Sequence, residues 1–317
     1  MGVWRTIREI RYRAGPNCEE DDEMKTKIVL ALVLSLCVFS NASAAQSPDP
    51  NRAPYIQSLV ADSSGNLESR SQNAAEPWTL EGRANRCASS RLTLLDSVAR
   101  GRDKQHFQVV PFWQLPDSEA FFFISGMTID ADGAPTAYHP DDTGLDELVN
   151  AGVPTHWDGI VTDRDGNPSI QQESDPFPGY FVSCTSLSDK TKKLTDPTRY
   201  VNASKIAYVA LPQDVAERRG VRLGDFAVVM NLRNGKSSFA IYADIGTLGE
   251  GSIALADALG IRSDAREGGE SDGVLYLFFP GSGNLQPRTI GEIQNEGEKL
   301  FSGLGSEMKS LSACVER

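Results

Sequence analysis

The chain has 317 residues, of which 31 are Lys or Arg and 43 are Asp or Glu, so its formal net charge is −12 and its pI is near 4.8. This acidic balance disfavours nucleic acid as a partner, because binding to phosphates requires clustered positive charge. It suits a cationic polymer better, since an acidic groove would concentrate such a ligand, although many secreted proteins are acidic merely for solubility.

The amino-terminal part contains the three features of a secretory signal peptide. Lysines follow Met24, and an apolar run over 28–39 ends shortly before small residues that offer a cleavage site. We therefore assign 24–45 to a signal peptide and 1–23 to a misplaced start site. These features predict a secreted protein, extracellular or periplasmic.

The remainder of the chain predicts one folded domain behind a flexible leader. Residues 46–84 are rich in Ser, Asn, Pro and Ala and have few periodic apolar positions, which is typical of an exposed leader. Residues 85–317 are numerous enough for a single domain with a sizeable core. No further stretch is apolar and long enough to span a bilayer, so we expect no membrane contact after signal cleavage.

Three cysteines remain in the mature chain after signal cleavage: Cys87, Cys184 and Cys314. An odd number in an oxidising compartment predicts one disulfide and one unpaired thiol. Cys87 and Cys314 lie near the two ends of the domain and could join them, with Cys184 as the alternative partner. No histidine is placed to activate Cys184, so a thiol enzyme is disfavoured.

The periodicity of apolar residues predicts a mainly β domain. The predicted strands are short and bounded by turn signals: 120–128, 136–139, 159–161, 179–185, 205–211, 225–230, 239–243 and 274–279. The predicted helices are few: 90–101, 143–151, 252–260 and 289–300. The absence of a βαβ repeat favours a closed or nearly closed barrel with peripheral helices.

Two short acidic stretches lie between predicted strands. Asp130 and Asp132 stand in IDADG, and a similar TDRDGN stretch begins at 162. Neither has the spacing of a calcium loop, so hairpin turns are the favoured interpretation. Tyr138 and His139 could offer a stacking ring and a hydrogen-bonding edge to a sugar, or could simply pack. The histidines form no zinc motif, and we predict neither a metal nor a cofactor.

The segment 239–260, FAIYADIGTLGEGSIALADALG, is the most informative. Asp244 ends a predicted strand and Glu250 precedes a predicted helix, with glycines in the turn between them. Both acids can therefore face one cleft. Paired carboxylates suit glycosidic cleavage, where one protonates the leaving oxygen and the other activates water. The alternative is that Asp244 caps a turn and Glu250 is solvated.

Several segments in the same order resemble glycoside hydrolase family 75, the chitosanases, in its bacterial form. They cover roughly 92–283 and include 127–148, 175–187, 198–212, 239–260 and 273–283. The resemblance implies an endo-acting enzyme that cleaves β-1,4 bonds between glucosamine units with inversion. It also implies chitosan as partner and substrate contacts from Asp130, Asp132, Tyr138, His139, Asp175, Tyr180 and Tyr242.

In this interpretation Glu250 is the general acid and Asp244 the general base, although the roles could be exchanged. The chain departs from the family at Asn202, where an aspartate is expected, and in the short loop between the two acids. A weaker resemblance to family 45 endoglucanases, lytic transglycosylases and expansins predicts a six-stranded double-psi-like barrel. A peptidoglycan-cleaving transglycosylase and a non-catalytic wall-binding module are therefore the alternatives, and we expect a monomer.

Overall fold

The computed structural model describes Cys87 and residues 90–101, 107–154 and 156–315. The predicted start-site segment, signal peptide and leader lie outside these residues. None of the described helices is both long and apolar enough to cross a membrane.

Six strands form a closed barrel, so the predicted mainly β barrel with few helices is confirmed. In the order in which they pair, the strands are β3 (Phe121–Asp130), β10 (Glu270–Phe279), β7 (Phe226–Asn231), β8 (Ser237–Ile245), β6 (Tyr208–Leu211) and β9 (Glu250–Ser252). The ring closes because β9 also pairs with β3. The pairs β3–β9 and β6–β8 are parallel, and the other four are antiparallel.

The barrel strands are apolar on both faces, which explains why two hydrophobic clusters flank them. In β10, Leu275 and Leu277 belong to one cluster, whereas Tyr276 and Phe278 belong to the other. Strands buried on both faces read as nearly continuous apolar runs. Burial of both faces makes the barrel a rigid frame for the residues at its strand ends.

An antiparallel hairpin of β1 (Thr93–Gly101) and β2 (Phe107–Gln114) extends the sheet beyond β3. The helix predicted over 90–101 is therefore wrong. The apolar positions of this segment fit both the helical and the strand periodicity. Pairing with β2 makes the segment a strand, because cross-strand packing overrides a weak local preference for helix. A register shift between Leu94 and Asp96 marks an irregularity in β1.

The chain between β3 and β6 consists mainly of turns and isolated bridges. It holds a small sheet of β4 (Gly152–Val153) and β5 (His156–Trp157) and short 3-10 helices at Leu148–Ala151 and Pro197–Arg199. The strand predicted at 136–139 is a turn region, and those at 159–161 and 179–185 make only isolated bridges. The helix predicted at 143–151 is reduced to one 3-10 turn.

Within the described part of the chain, four α-helices pack around the barrel: α1 (Gln213–Arg218), α2 (Ile253–Leu259), α3 (Ile290–Gly303) and α4 (Glu307–Val315). Two of them, α2 and α3, match helices predicted over 252–260 and 289–300. Ser252 caps α2 by accepting from Leu255 N, and Gly260 ends it in a left-handed conformation. Thr289 and Glu292 form a reciprocal capping box at α3.

A disulfide joins Cys87 to Cys314, so the predicted link between the ends of the domain is confirmed. It ties the segment before β1 to α4. Cys184 is 1% exposed and packs in a small hydrophobic cluster with Val161, Val182 and Tyr200.

Candidate active site

The two acids singled out by the sequence lie at neighbouring strand ends of the barrel. Asp244 is the penultimate residue of β8 and Glu250 is the first residue of β9. Both pair with Ala210 of β6, which runs between those strands. Because adjacent strands are about 4.8 Å apart, the backbones of the two acids stand roughly 10 Å apart across the small Ala210 side chain.

Asp244 is almost fully buried and one of its oxygens accepts three hydrogen bonds. Oδ1 accepts from Ser186 Oγ at 2.6 Å, from Ser186 N at 3.0 Å and from Ile245 N at 2.8 Å. Burial raises the pKa of Asp244 to about 6, and these donors oppose the rise because they favour the carboxylate. Asp244 is thus held in one orientation with a pKa above that of an ordinary aspartate.

Glu250 is held by the turn that precedes it. Its Oε2 accepts from Thr247 N at 2.7 Å and from Thr247 Oγ1 at 3.3 Å. Desolvation raises the pKa of Glu250 to about 7, and the negative charge of Asp244 adds to the rise. Gly246 provides the space for this carboxylate, because a Cβ at 246 would overlap Glu250 Oε2.

Two further carboxylates adjoin this pair. Asp130 ends β3 beside Ser252 of the parallel strand β9, and Asp132 lies two residues beyond it. Oxygens of Asp130, Asp132 and Asp244 all lie within 4.8 Å of one another. Such a group could hold a metal ion, since oxygen ligands suit hard cations. Equally, it could bind a cationic group of a substrate.

Two tyrosines and a glycine fix the position of Asp132. Tyr138 Oη donates to Asp132 Oδ1 at 2.6 Å, and Tyr208 Oη donates to the Asp132 carbonyl at 3.0 Å. A Cβ at Gly159 would stand 2.6 Å from Asp132 Oδ1, so only glycine leaves room for the carboxylate there. The backbone N–H of Asp132 donates to Asp130 Oδ1 at 2.8 Å, which links the two acids.

The carboxylates raise one another's pKa. Burial raises the pKa of Asp130 well above its usual range, and the charges of Asp132, Glu250 and Asp244 raise it further. Burial likewise raises the pKa of Asp132, where Asp244 is the largest charge contribution and the Tyr138 hydrogen bond opposes it. The site therefore binds protons more tightly than separate carboxylates do, and an approaching cation would favour their release.

Beyond Tyr138 the chain forms a small aromatic surface. The His139 and Tyr180 rings meet edge to face at 4.7 Å, and Tyr180 meets Phe177 edge to face at 6.3 Å. Phe177 is 44% exposed. Asp175 lies in the same loop, where its carboxylate accepts from Gln172 N at 2.7 Å.

Two other residues noted in the sequence lie elsewhere. Tyr242 is only 3% exposed and packs in one of the two hydrophobic clusters. Asn202 caps the turn before β6, where its side-chain oxygen accepts from Ser204 N at 2.9 Å.

Sequence reasoning missed several residues of the site because each is recruited from a distant part of the chain. Ser186 and Tyr208 contact acids that lie 58 and 76 positions away. Gly159 faces Asp132, and the charge of Asp146 raises the pKa of both Asp132 and Glu250. Nothing in their local sequence marks these residues as functional.

Comparison with known proteins gives one assignment. The family model described as fungal chitosanase of glycosyl hydrolase group 75 matches residues 127–312, more than half of the chain. The matched segment contains all four carboxylates of the site. No curated protein matches the chain.

Proposed function

Since the chain belongs to glycosyl hydrolase group 75 and is therefore a glycoside hydrolase, we propose that it is a secreted endo-chitosanase acting with inversion. Glu250 is the general acid that protonates the leaving oxygen. Asp244 is the general base that takes a proton from the attacking water. The enzyme cuts β-1,4 bonds between glucosamine units.

The observation that carries this mechanism is the cross-strand row of Asp244, Ala210 and Glu250. Inverting glycosidases need carboxyl groups about 6.5 to 9.5 Å apart so that water fits between the base and the sugar. Backbones roughly 10 Å apart, separated by the small Ala210 side chain, are compatible with that spacing. The short loop between the acids is sufficient because strand pairing, rather than loop length, sets the distance.

The hydrogen bonds favour this assignment of roles. Asp244 receives two backbone N–H groups and a hydroxyl on one oxygen, an environment that stabilises an ionised base. Glu250 receives one backbone N–H and one hydroxyl. With a pKa of about 7 for Glu250 and about 6 for Asp244, the protonated acid and ionised base coexist at mildly acidic to neutral pH.

Asp130 and Asp132 bind a glucosamine ammonium group beside the scissile bond. The groups around these two aspartates include Asp244 and Glu250, which are also acidic. The ammonium group would therefore supply the positive charge that balances the carboxylates. An acetylated sugar presents a neutral amide and would leave these acids unpaired, which favours deacetylated polymer. His139, Tyr180 and the nearby Asp175 extend the substrate contact as a stacking and acidic surface.

The test is release of reducing ends from highly deacetylated chitosan by the chain starting at Gln46. Glu250→Gln and Asp244→Asn should each remove most turnover while polymer binding persists, and the exposed Glu298→Gln serves as the control. Proton NMR of the first products should show the α-anomer. Full activity in either site variant would refute the roles. Binding without cleavage would indicate a wall-binding module, and cleavage of murein alone a transglycosylase.

Secretion is part of the same proposal and rests on the signal-like segment 24–45. Mass spectrometry of the protein recovered from a secreting host should find an amino terminus near Gln46. Retention of the segment in the recovered protein would contradict this.

A further inference from the structure

The hairpin of β1 and β2 contacts the turn that immediately precedes Glu250. Arg100, near the end of β1, donates from Nε to the carbonyl of Leu248 at 2.7 Å. These residues are 148 positions apart in the chain. The family match begins at residue 127, so Arg100 and the whole hairpin lie outside it.

The turn is closely packed where Arg100 meets it. Gly249 has a φ of +79°, and a Cβ there would stand 2.6 Å from the Gly126 carbonyl and 3.1 Å from Arg100 Nε. The Gly249 carbonyl accepts from Thr128 N at 2.9 Å. The residues immediately before Glu250 are thus fixed by β3 on one side and by Arg100 on the other.

The hairpin is itself anchored to the barrel. Asp96 of β1 forms ion pairs with Arg219 and, at 3.9 Å, with Arg218 at the end of α1. The Arg219 guanidinium also lies over the Phe112 ring of β2, 5.3 Å from its centroid. Arg100 therefore projects from a support held to the barrel at both strands.

We propose that Arg100 is a positioning residue, which holds the Leu248 carbonyl and thereby fixes the turn that aims Glu250 at the scissile bond. It touches neither substrate nor reacting atoms. Its removal frees the turn on one side, and misplacement of a catalytic group by about 1 Å can cost on the order of 100-fold in rate. This inference rests on the proposed function, because it assigns a role relative to the general acid.

The test compares Arg100→Met, Arg100→Lys and a matched control, Arg233→Met. Arg233 lies in the turn between β7 and β8 and is also partly exposed. Its Nε donates to the backbone carbonyl of Asp272 in β10 at 3.2 Å. Arg100→Met should lower kcat on chitosan at least about 10-fold with KM changed less than about 2-fold. Arg100→Lys should recover a substantial part of kcat, and Arg233→Met should behave as the parent protein.

Melting temperatures separate this role from a purely structural one. Arg100→Met should melt within a few degrees of Arg233→Met. Unchanged kcat in Arg100→Met, or a loss of kcat matched by a loss of folded protein, would overturn the proposal. A parent protein inactive on chitosan would instead refute the proposed function, so the two failures are distinguishable.

Discussion

Replacement of Glu250 by Gln should stabilise the fold above neutral pH while it removes activity. The folded protein holds the Glu250 proton up to a pKa of about 7, whereas an unfolded glutamate releases it near 4.5. Stability is therefore lost as pH rises through this interval, because the folded state binds the extra proton. Each tenfold change in acid dissociation corresponds to about 1.4 kcal/mol, so ionisation of Glu250 costs the native state about 3 kcal/mol.

The Gln side chain keeps an oxygen for the Thr247 N–H and carries no charge, so the variant should avoid this cost. We expect its free energy of unfolding to exceed that of the parent by up to about 3 kcal/mol at pH 8, and the two to agree near pH 4. This corresponds to a rise of about 6 to 12 °C in melting temperature. The loss of one charge should also ease ionisation of Asp130, in the same direction.

Urea unfolding from pH 4 to pH 8 measures the difference, with the exposed Glu298→Gln as the control. A Glu250→Gln protein no more stable than the parent at pH 8 would refute the reasoning. A gain that is equally large at pH 4 would refute it too, because the effect must follow ionisation.

The space at Gly246, the pKa values of the two acids and the disulfide each give a further prediction. Gly246→Ala should lower kcat by about 100-fold or more, because the new Cβ displaces the Glu250 carboxylate; parent-like activity would contradict this. The pH profile of kcat should be bell-shaped, falling as Asp244 takes a proton below about pH 6 and as Glu250 loses one above about pH 7; a flat profile from pH 5 to 8 would contradict it. A Cys87→Ala/Cys314→Ala protein should lose up to about 5 kcal/mol of stability to urea, since the link spans 227 positions, and an unchanged midpoint would show that the disulfide adds nothing.

Five of the six barrel strands and two helices were predictable because their signals are local, whereas the three-residue strand β9 was not predicted. Continuous apolar runs mark strands buried on both faces, and Ser252 with Gly260 marks the ends of α2. The prediction from sequence was wrong at β1. The apolar spacing there fits a helix as well as a strand, and only pairing with β2 makes the segment a strand. The prediction was also wrong between β3 and β6, where turns rather than strands carry the site.

The sequence by itself determined the chemical groups of the site: the paired acids of 239–260, the acidic IDADG stretch and the resemblance that connected them. Only the tertiary structure decided the distances between these groups and the residues that hydrogen-bond to them. Asp244 and Glu250 both pair with Ala210 because β6 lies between β8 and β9, an order that strand pairing around a closed barrel sets. The hydrogen bond of Arg100 to the Leu248 carbonyl depends in the same way on barrel geometry. Local sequence specifies which side chains are present and how each strand alternates, whereas closure of the sheet determines which of them meet.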